Sequence, residues 1–240
     1  MKLEIWSDYA CPYCYIGKRF LEAALAEFEH ASEVEIIFRA FELDPTSGPT
    51  VTTTTLDRIM RKYGKSRSDA QAMIDHITSM GARCGLDMRY ASARYTNTFD
   101  AHRLTKFAEQ HGRGAEMTER LFRAYFTDTL PLADHDVLAG LAEDVGLEGA
   151  AVRAMLTGSD FAEDVRRDET RASHAGIHGV PFFVFNGVYT LSGAQPKAQL
   201  LAALRQSWNE AHKTAAEGPA DGLSCDSTGC VIPPSGSKAP

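Results

Sequence analysis

Residues 7–18 read Ser7-Asp8-Tyr9-Ala10-Cys11-Pro12-Tyr13-Cys14-Tyr15-Ile16-Gly17-Lys18, with two cysteines three positions apart just after an apolar-alternating start. The pair admits three chemistries: half of a zinc site, a structural disulfide or a reactive dithiol. Upstream, Leu3, Ile5 and Ser7 alternate with charged or aromatic neighbours, which predicts a strand. Downstream, Ile16, Phe20, Leu21, Ala24, Leu25 and Phe28 fall at helical spacing and predict an amphipathic helix of about five turns. Val34-Glu-Ile-Ile-Phe-Arg-Ala-Phe41 is β-branched and aromatic, and predicts a second strand. Strand, helix, strand in this order is a βαβ unit with a right-handed crossover.

The cysteines therefore open a helix at the end of a strand. Unpaired N–H groups and the helix dipole put about half a positive charge there, which favours thiolate over thiol. Such sites lower a cysteine pKa from about 8.5 into the range of roughly 3.5–7.5 found in redox dithiols. Residues i and i+3 lie one turn apart on one helix face, so Cys14 can reach the sulfur of Cys11. Pro12 suits the first turn, where its missing N–H would be unpaired anyway. In a redox reading, Cys11 at the outer end attacks a substrate disulfide and the more buried Cys14 resolves the mixed disulfide. The Cys-x-x-Cys spacing alone serves redox chemistry and metal binding alike.

Beyond Asp44-Pro45-Thr46-Ser47-Gly48-Pro49 the β signal fades and helical patterns repeat. Leu104, Phe107 and Ala108 mark one amphipathic segment, Leu121, Phe122, Tyr125 and Phe126 another, and Leu138, Leu141, Ala142 and Val145 a third. Asp134 and Gly146 stand where the cap and stop of the third helix belong. Strand character returns at Val180-Pro-Phe-Phe-Val-Phe185, followed by the two-residue turn signal Asn186-Gly187 and by Val188–Leu191, a β-hairpin. Pro196 opens a last helix through Leu200, Leu201, Leu204 and Trp208. The order is βαβ, a helical block, then ββα, with no internal repeat. It predicts an α/β fold in which residues 1–48 and 176–214 form one sheet domain, 49–175 a helical insertion and 215–240 a Gly-, Pro- and Ser-rich tail.

With 240 residues, 44% of them hydrophobic, the chain can bury a sizeable core. A net charge of -7 gives no basic footprint for nucleic acid, and no apolar run of about 18 residues could span a bilayer. The N-terminus lacks the apolar stretch and cleavage site of a secretory signal, so a cytoplasmic location is expected. Five cysteines, grouped as Cys11/Cys14, Cys84 and Cys225/Cys230, are too few for a disulfide-stapled scaffold.

Taken with the distant segments, the dithiol becomes more specific. Asp8–Gly17, Phe41-Glu-Leu-Asp-Pro45, Asn97-Thr-Phe-Asp-Ala-His-Arg-Leu104, Ala124-Tyr-Phe-Thr127, Gly179-Val-Pro-Phe-Phe-Val184 and Ser192-Gly-Ala-Gln195 together resemble the DsbA-like branch of the thioredoxin superfamily. The likeness is to the FrnE type of cytoplasmic disulfide oxidoreductase and covers most of the chain. It implies a thioredoxin fold interrupted by a helical domain, with Pro181 cis and facing Cys11 and Cys14. The backbone of Val180 would then be free to pair with an extended substrate peptide, a form of strand addition. With Val180, Pro12 and Tyr13 are the expected substrate contacts. The resemblance implies disulfide reduction or isomerisation, no organic cofactor and no metal. The partners it implies are disulfide-containing proteins or small thiols such as glutathione, and the oligomeric state is left open.

Two other functions fit parts of the same sequence. Glutathione-dependent 2-hydroxychromene-2-carboxylate isomerases and kappa-class transferases look similar through the Asn-Thr and Ala-His-Arg region, but typically carry serine where Cys11 stands. A holdase-like binding protein would present an apolar groove of the helical block, with the dithiol incidental. In the tail, Cys225-Asp-Ser-Thr-Gly-Cys230 can close a small disulfide loop and act as an accessory redox pair or a static link. Eleven extended residues reach roughly 35 Å, about twice the ~18 Å radius of gyration of such a domain. The four cysteines Cys11, Cys14, Cys225 and Cys230 could also form a zinc site. Cys84 reads as a small buried hydrophobe. His174 and His178 read as a solvated pair near a helix end, and His102 as a cap or packing residue.

Overall fold

The structure is a computed structural model that describes residues 1–216. Cys225 and Cys230 lie outside the described residues. The element order is β1 (Lys2–Ser7), α1 (Pro12–Leu25), β2 (Glu35–Ala40), α2 (Thr55–Tyr63), α3 (Arg67–Arg83), α4 (Phe99–Gln110), α5 (Gly114–Phe126), α6 (His135–Asp144), α7 (Gly149–Thr157), α8 (Ala162–His174), β3 (Phe182–Phe185), β4 (Tyr189–Ser192) and α9 (Lys197–Ala216). The four strands form one mixed sheet in the order β2-β1-β3-β4. β1 and β2 run parallel with Lys2 opposite Glu35 and Ser7 opposite Ala40. β3 runs antiparallel to β1, pairing Phe185 with Leu3 and Phe183 with Ile5.

Period-two alternation sends the two faces of β1 into different layers. Leu3 and Ile5 face α1 and α9, where Leu21, Ala24, Phe183, Phe185, Leu200 and Leu204 close a sheet core. Trp6 points the other way, into a small cluster with Ala172 and Ile177 on the α8 side. α8 is held there by a buried carboxylate. Asp168, 2% exposed, accepts from the backbone N–H of Ala40 and pairs with Lys106 and Arg39, while its own carbonyl accepts from Trp6 Nε1 at 3.0 Å.

Helices α2 to α7 build a second, larger core, and α1 belongs to both. Its Leu21 and Ala24 enter the sheet core, whereas Cys11, Cys14, Tyr15 and Ile16 at its start enter the helical core with Phe122, Tyr125 and Phe126. Tyr15 stacks on Phe122 with ring centroids 5.1 Å apart and planes 6° apart. The Tyr15 hydroxyl donates to Glu119 on α5 at 2.8 Å, and Lys18 pairs with the same carboxylate at 2.6 Å.

Two local expectations are corrected. α1 has 14 residues and ends at Leu25, about four turns, so Phe28 lies past it. Glu27 N and Phe28 N bond the carbonyls of Ala24 and Leu25, a tightened i→i+3 pattern that still carries Phe28 onto the sheet-core face. The hairpin loop holds three residues, since Phe185 pairs with Tyr189. Asn186 and Gly187 both have positive φ, 49° and 75°, as their residue types favour, and Val188 joins the loop at 81% exposure. The Asn186 side chain pins this loop, accepting from Lys2 N at 2.9 Å and donating to Ser207 O at 3.2 Å. The α6 signals sit where expected: Asp134 Oδ1 accepts from Asp136 N and Val137 N, and Gly146, just past the helix end, has φ 82°.

Candidate active site

The chain leaves β1 through Asp8-Tyr9-Ala10 and enters α1 at Cys11, the N-cap, with Pro12 in the first turn. The turn closes by Cys11 N donating to Asp8 O at 3.0 Å, and Cys14 N donates to Cys11 O at 3.1 Å. Both cysteines are free thiols. Cys11 is 4% exposed and Cys14 2%, so the helical block covers the pair almost equally and exposure does not separate attacker from resolver. The surroundings of the two differ. Burial pushes the Cys14 thiol well above its ordinary range; Cys11 adds to the rise, and the Ser7 hydroxyl and Asp8 backbone oppose it. A protonated Cys14 beside Cys11 can donate to a Cys11 thiolate. The Cys11 sulfhydryl itself donates to the carbonyl of Val180 at 3.4 Å.

The Val180–Pro181 peptide bond is cis. Pro181 is buried, its carbonyl accepts from Gly193 N at 2.8 Å, and Val180 and Tyr13 are half-buried. Val180 N–H has no hydrogen-bond partner among the described residues. Gly17 permits the close approach of α1 to this loop, since a Cβ there would lie 3.1 Å from Pro181 Cγ. Burial, Cys11 and Tyr63 together raise the pKa of Tyr13. The β1–α1 turn thus brings together Cys11, Cys14, Pro12 and Tyr13 with Val180 and Pro181, which lie far away in sequence. No group of three or more His, Cys, Asp or Glu side chains that could hold a metal ion occurs among the described residues.

Beneath the dithiol lies a carboxylate that the sequence reading did not single out. Asp8, 1% exposed, accepts from Leu43 N at 2.7 Å, Ala10 N at 3.1 Å and Thr98 Oγ1 at 2.9 Å. Burial pushes its pKa up to about 6, with the three hydrogen bonds opposing. Next to it, Asn97 donates to Glu42 at 2.8 Å. The segments around Asp8, Phe41–Pro45 and Asn97–Leu104 therefore meet in one polar layer. His102 is buried there and burial lowers its pKa to about 3, so it is neutral; its Nε2 lies 3.9 Å from Asp8 Oδ1 and has no hydrogen-bond partner. Among the other candidates, Cys84 is half-buried and donates to Gly81 O at 3.2 Å, while His174 and His178 are exposed at and beyond the end of α8.

Residues 2–205 match the family described as DSBA-like thioredoxin domain. The chain belongs to that family. Its fold is similar to the crystal structure of a probable DsbA oxidoreductase from Streptomyces coelicolor, at 38% identity and a TM-score of 0.85 over 98% of this chain and 100% of that one. An uncharacterized protein of Bacillus subtilis, YwbO, is 29% identical over 81% of this chain and 91% of its own length. The fold is shared at 17% identity with the cytosolic disulfide reductase DsbM of Pseudomonas aeruginosa, with a TM-score of 0.54 over 91% of this chain and all of that one. DSBA-like membership places the chain among thiol oxidoreductases, and no helix among the described residues is long and apolar enough to cross a membrane.

Proposed function

We propose that this protein is a thiol–disulfide oxidoreductase, a reductase or isomerase of protein disulfides, that works through Cys11 and Cys14 in a reducing compartment. The observation that carries it is the juxtaposition of two free thiols one helical turn apart, at the start of α1, with the Val180 carbonyl. In the reducing direction the Cys11 thiolate attacks one sulfur of the substrate disulfide. A Cys11–substrate disulfide forms, and the other substrate sulfur leaves as a thiolate that takes up a proton. Cys14 then loses its proton and attacks Cys11. The mixed disulfide breaks, the Cys11–Cys14 disulfide forms, and the second substrate thiol is released. The substrate gains two electrons, and two molecules of a small thiol return them to the enzyme, leaving as their disulfide; the same steps reversed oxidise a dithiol. Pro12, Tyr13 and the backbone of Val180 contact the substrate. Cys225 and Cys230 act as an accessory redox pair, a role supported by their spacing and reach in the sequence.

Catalysed reduction of insulin by dithiothreitol tests the reading. The wild-type protein accelerates precipitation of the insulin B chain, Cys11→Ser returns it to the uncatalysed rate, and Cys14→Ser accumulates mixed disulfide detectable by mass spectrometry. Suppression of aggregation that survives Cys11→Ser identifies a holdase instead. Truncation after Gly218 slows multi-turnover but not single-turnover reduction if the tail pair exchanges electrons with Cys11/Cys14, and equal rates exclude that role.

A further inference from the structure

Between the segment that follows β2 and helix α2 lies an open cavity of about 380 Å³, lined on one side by Arg58, Arg61 and Lys62 and on the other by Tyr95, Thr53 and Asp44. Its charge is unbalanced. None of the three cations forms an ion pair with a carboxylate among the described residues, although most arginines elsewhere do. Neutral groups hold them instead. The Arg58 guanidinium lies over the Tyr95 ring at 3.9 Å, and its Nε is buried without a hydrogen-bond partner. Arg61 Nη2 donates to Thr53 Oγ1 at 3.1 Å, and Lys62 Nζ sits 5.7 Å from the Tyr63 ring. The single acid of the lining, Asp44, accepts from Thr46 and from the Tyr95 hydroxyl and is also favoured in its charged form by Lys62, so one carboxylate stands against three cations. Three cations around a cavity, in a chain of net charge -7, make a site shaped for an anion. Two guanidiniums match a planar carboxylate in particular.

The cavity reaches the polar layer beneath the dithiol through Leu43. Leu43, which lines it, donates its N–H to Asp8, three residues before Cys11. Tyr90 is close enough to both Arg58 and Cys11 to feel the charge of each, together with Tyr13 and Tyr63. The geometric link between cavity and dithiol is Asp8, which accepts from Leu43 N by its side chain and from Cys11 N by its carbonyl.

Building on the oxidoreductase reading, we propose that this cavity binds a carboxylate of the substrate, so that the enzyme selects disulfides flanked by acidic groups. An acidic residue beside a protein cystine and the carboxylate of a small disulfide share the required chemistry.

The test uses the full chain and two substrate series. The first is a set of cystine-bridged peptides differing only in Glu or Gln beside the cystine; the second compares oxidised glutathione with the carboxylate-free disulfide cystamine. A third arm measures binding of the Glu and Gln peptides, with serines in place of both cysteines, by calorimetry. We expect wild-type kcat/KM and affinity to favour the carboxylate member by about tenfold, a preference that weakens with salt. In Arg61→Gln/Lys62→Gln, and separately in Arg58→Gln, that ratio falls to within about twofold, with circular dichroism and thermal melting showing that each variant is folded. Preference confined to the peptides assigns the site to acidic protein segments, and preference confined to the small disulfides assigns it to low-molecular-weight substrates. Equal use of acid and amide by the wild type, or a preference that survives both variants, overturns the proposal. If no disulfide is turned over at all, the oxidoreductase reading fails, and the calorimetric arm alone decides whether the cavity takes a carboxylate.

Discussion

Helix α1 has one side in the sheet core and the other in the helical core, and the two sides do different work for the same pair of sulfurs. The sheet side sets position. Leu21 and Ala24 lock the helix onto β1 and β3, and Gly17 brings it against Pro181, so Cys11 meets the Val180 carbonyl. The helical side sets environment. Tyr15 and Phe122 cover the start of α1, and the resulting burial keeps Cys14 protonated. A thioredoxin-like sheet alone would place the thiols; the added helices decide how dry they are.

The sharpest way to break this contrast is to empty each core in turn. Phe122→Ala and Phe183→Ala each remove a fully buried phenyl ring and should each cost about 3–5 kcal/mol in urea unfolding. Only Phe122→Ala should speed alkylation of Cys14, read by mass spectrometry under native conditions. Equal acceleration by the two would show that the helical core has no special hold on the thiol.

Carboxylates on the two sides should respond to pH with opposite sign. Asp8, under the dithiol, is raised to about 6 by burial, against about 3.9 for an unfolded aspartate. It binds its proton more tightly when folded, so its contribution to stability is fully present below about pH 4 and is lost as pH rises through about 6, a swing of about 3 kcal/mol. Glu4, on the sheet, is raised by burial but lowered more by Arg39 and Arg171, so its contribution is present above the unfolded glutamate value and is lost as pH falls through its folded pKa. Urea titrations from about pH 3 to 7 should therefore show Asp8→Asn erasing a fall in stability between about pH 4 and 6, and Glu4→Gln erasing a rise at the acid end.

The smallest effect concerns the helix–loop contact. Gly17→Ala places a Cβ 3.1 Å from Pro181 Cγ and should cost about 1–3 kcal/mol and slow insulin reduction. In α6, Gly140→Ala meets nothing within 4 Å and should gain about 0.5–1 kcal/mol with no kinetic effect. Thermal melting and the insulin assay read both.

The elements with a strong period were legible in the sequence. β1, β2, the hairpin strands and α4 to α6 follow from apolar spacing and caps, and Cys11–Cys14 follows from a strand-to-helix junction. α8 left no comparable trace, because its buried positions, Val165, Asp168 and Ala172, include a carboxylate where a pattern reader looks for a hydrophobe. Asp8 could be quoted as part of a matching segment, yet its bond to Thr98 joins residues 90 apart and no local pattern encodes it. The near-equal burial of the two cysteines was hidden for a related reason. It depends on how the helical block closes over α1, and a helix N-terminus taken alone suggests an exposed Cys11.

The carbonyl of Val180 is sought by two donors. In the resting protein the Cys11 sulfhydryl occupies it, and in the proposed reaction an extended peptide pairing along Val180 brings an amide to the same oxygen. Docking and unmasking then become one event, since the arriving strand competes with the sulfur for its acceptor. A peroxide or stray alkylating agent carries no such strand. On the proposed reading, the contact that a substrate strand displaces is the one that holds Cys11 as a thiol, the form that reacts slowly with small electrophiles, so recognition and activation of the sulfur coincide.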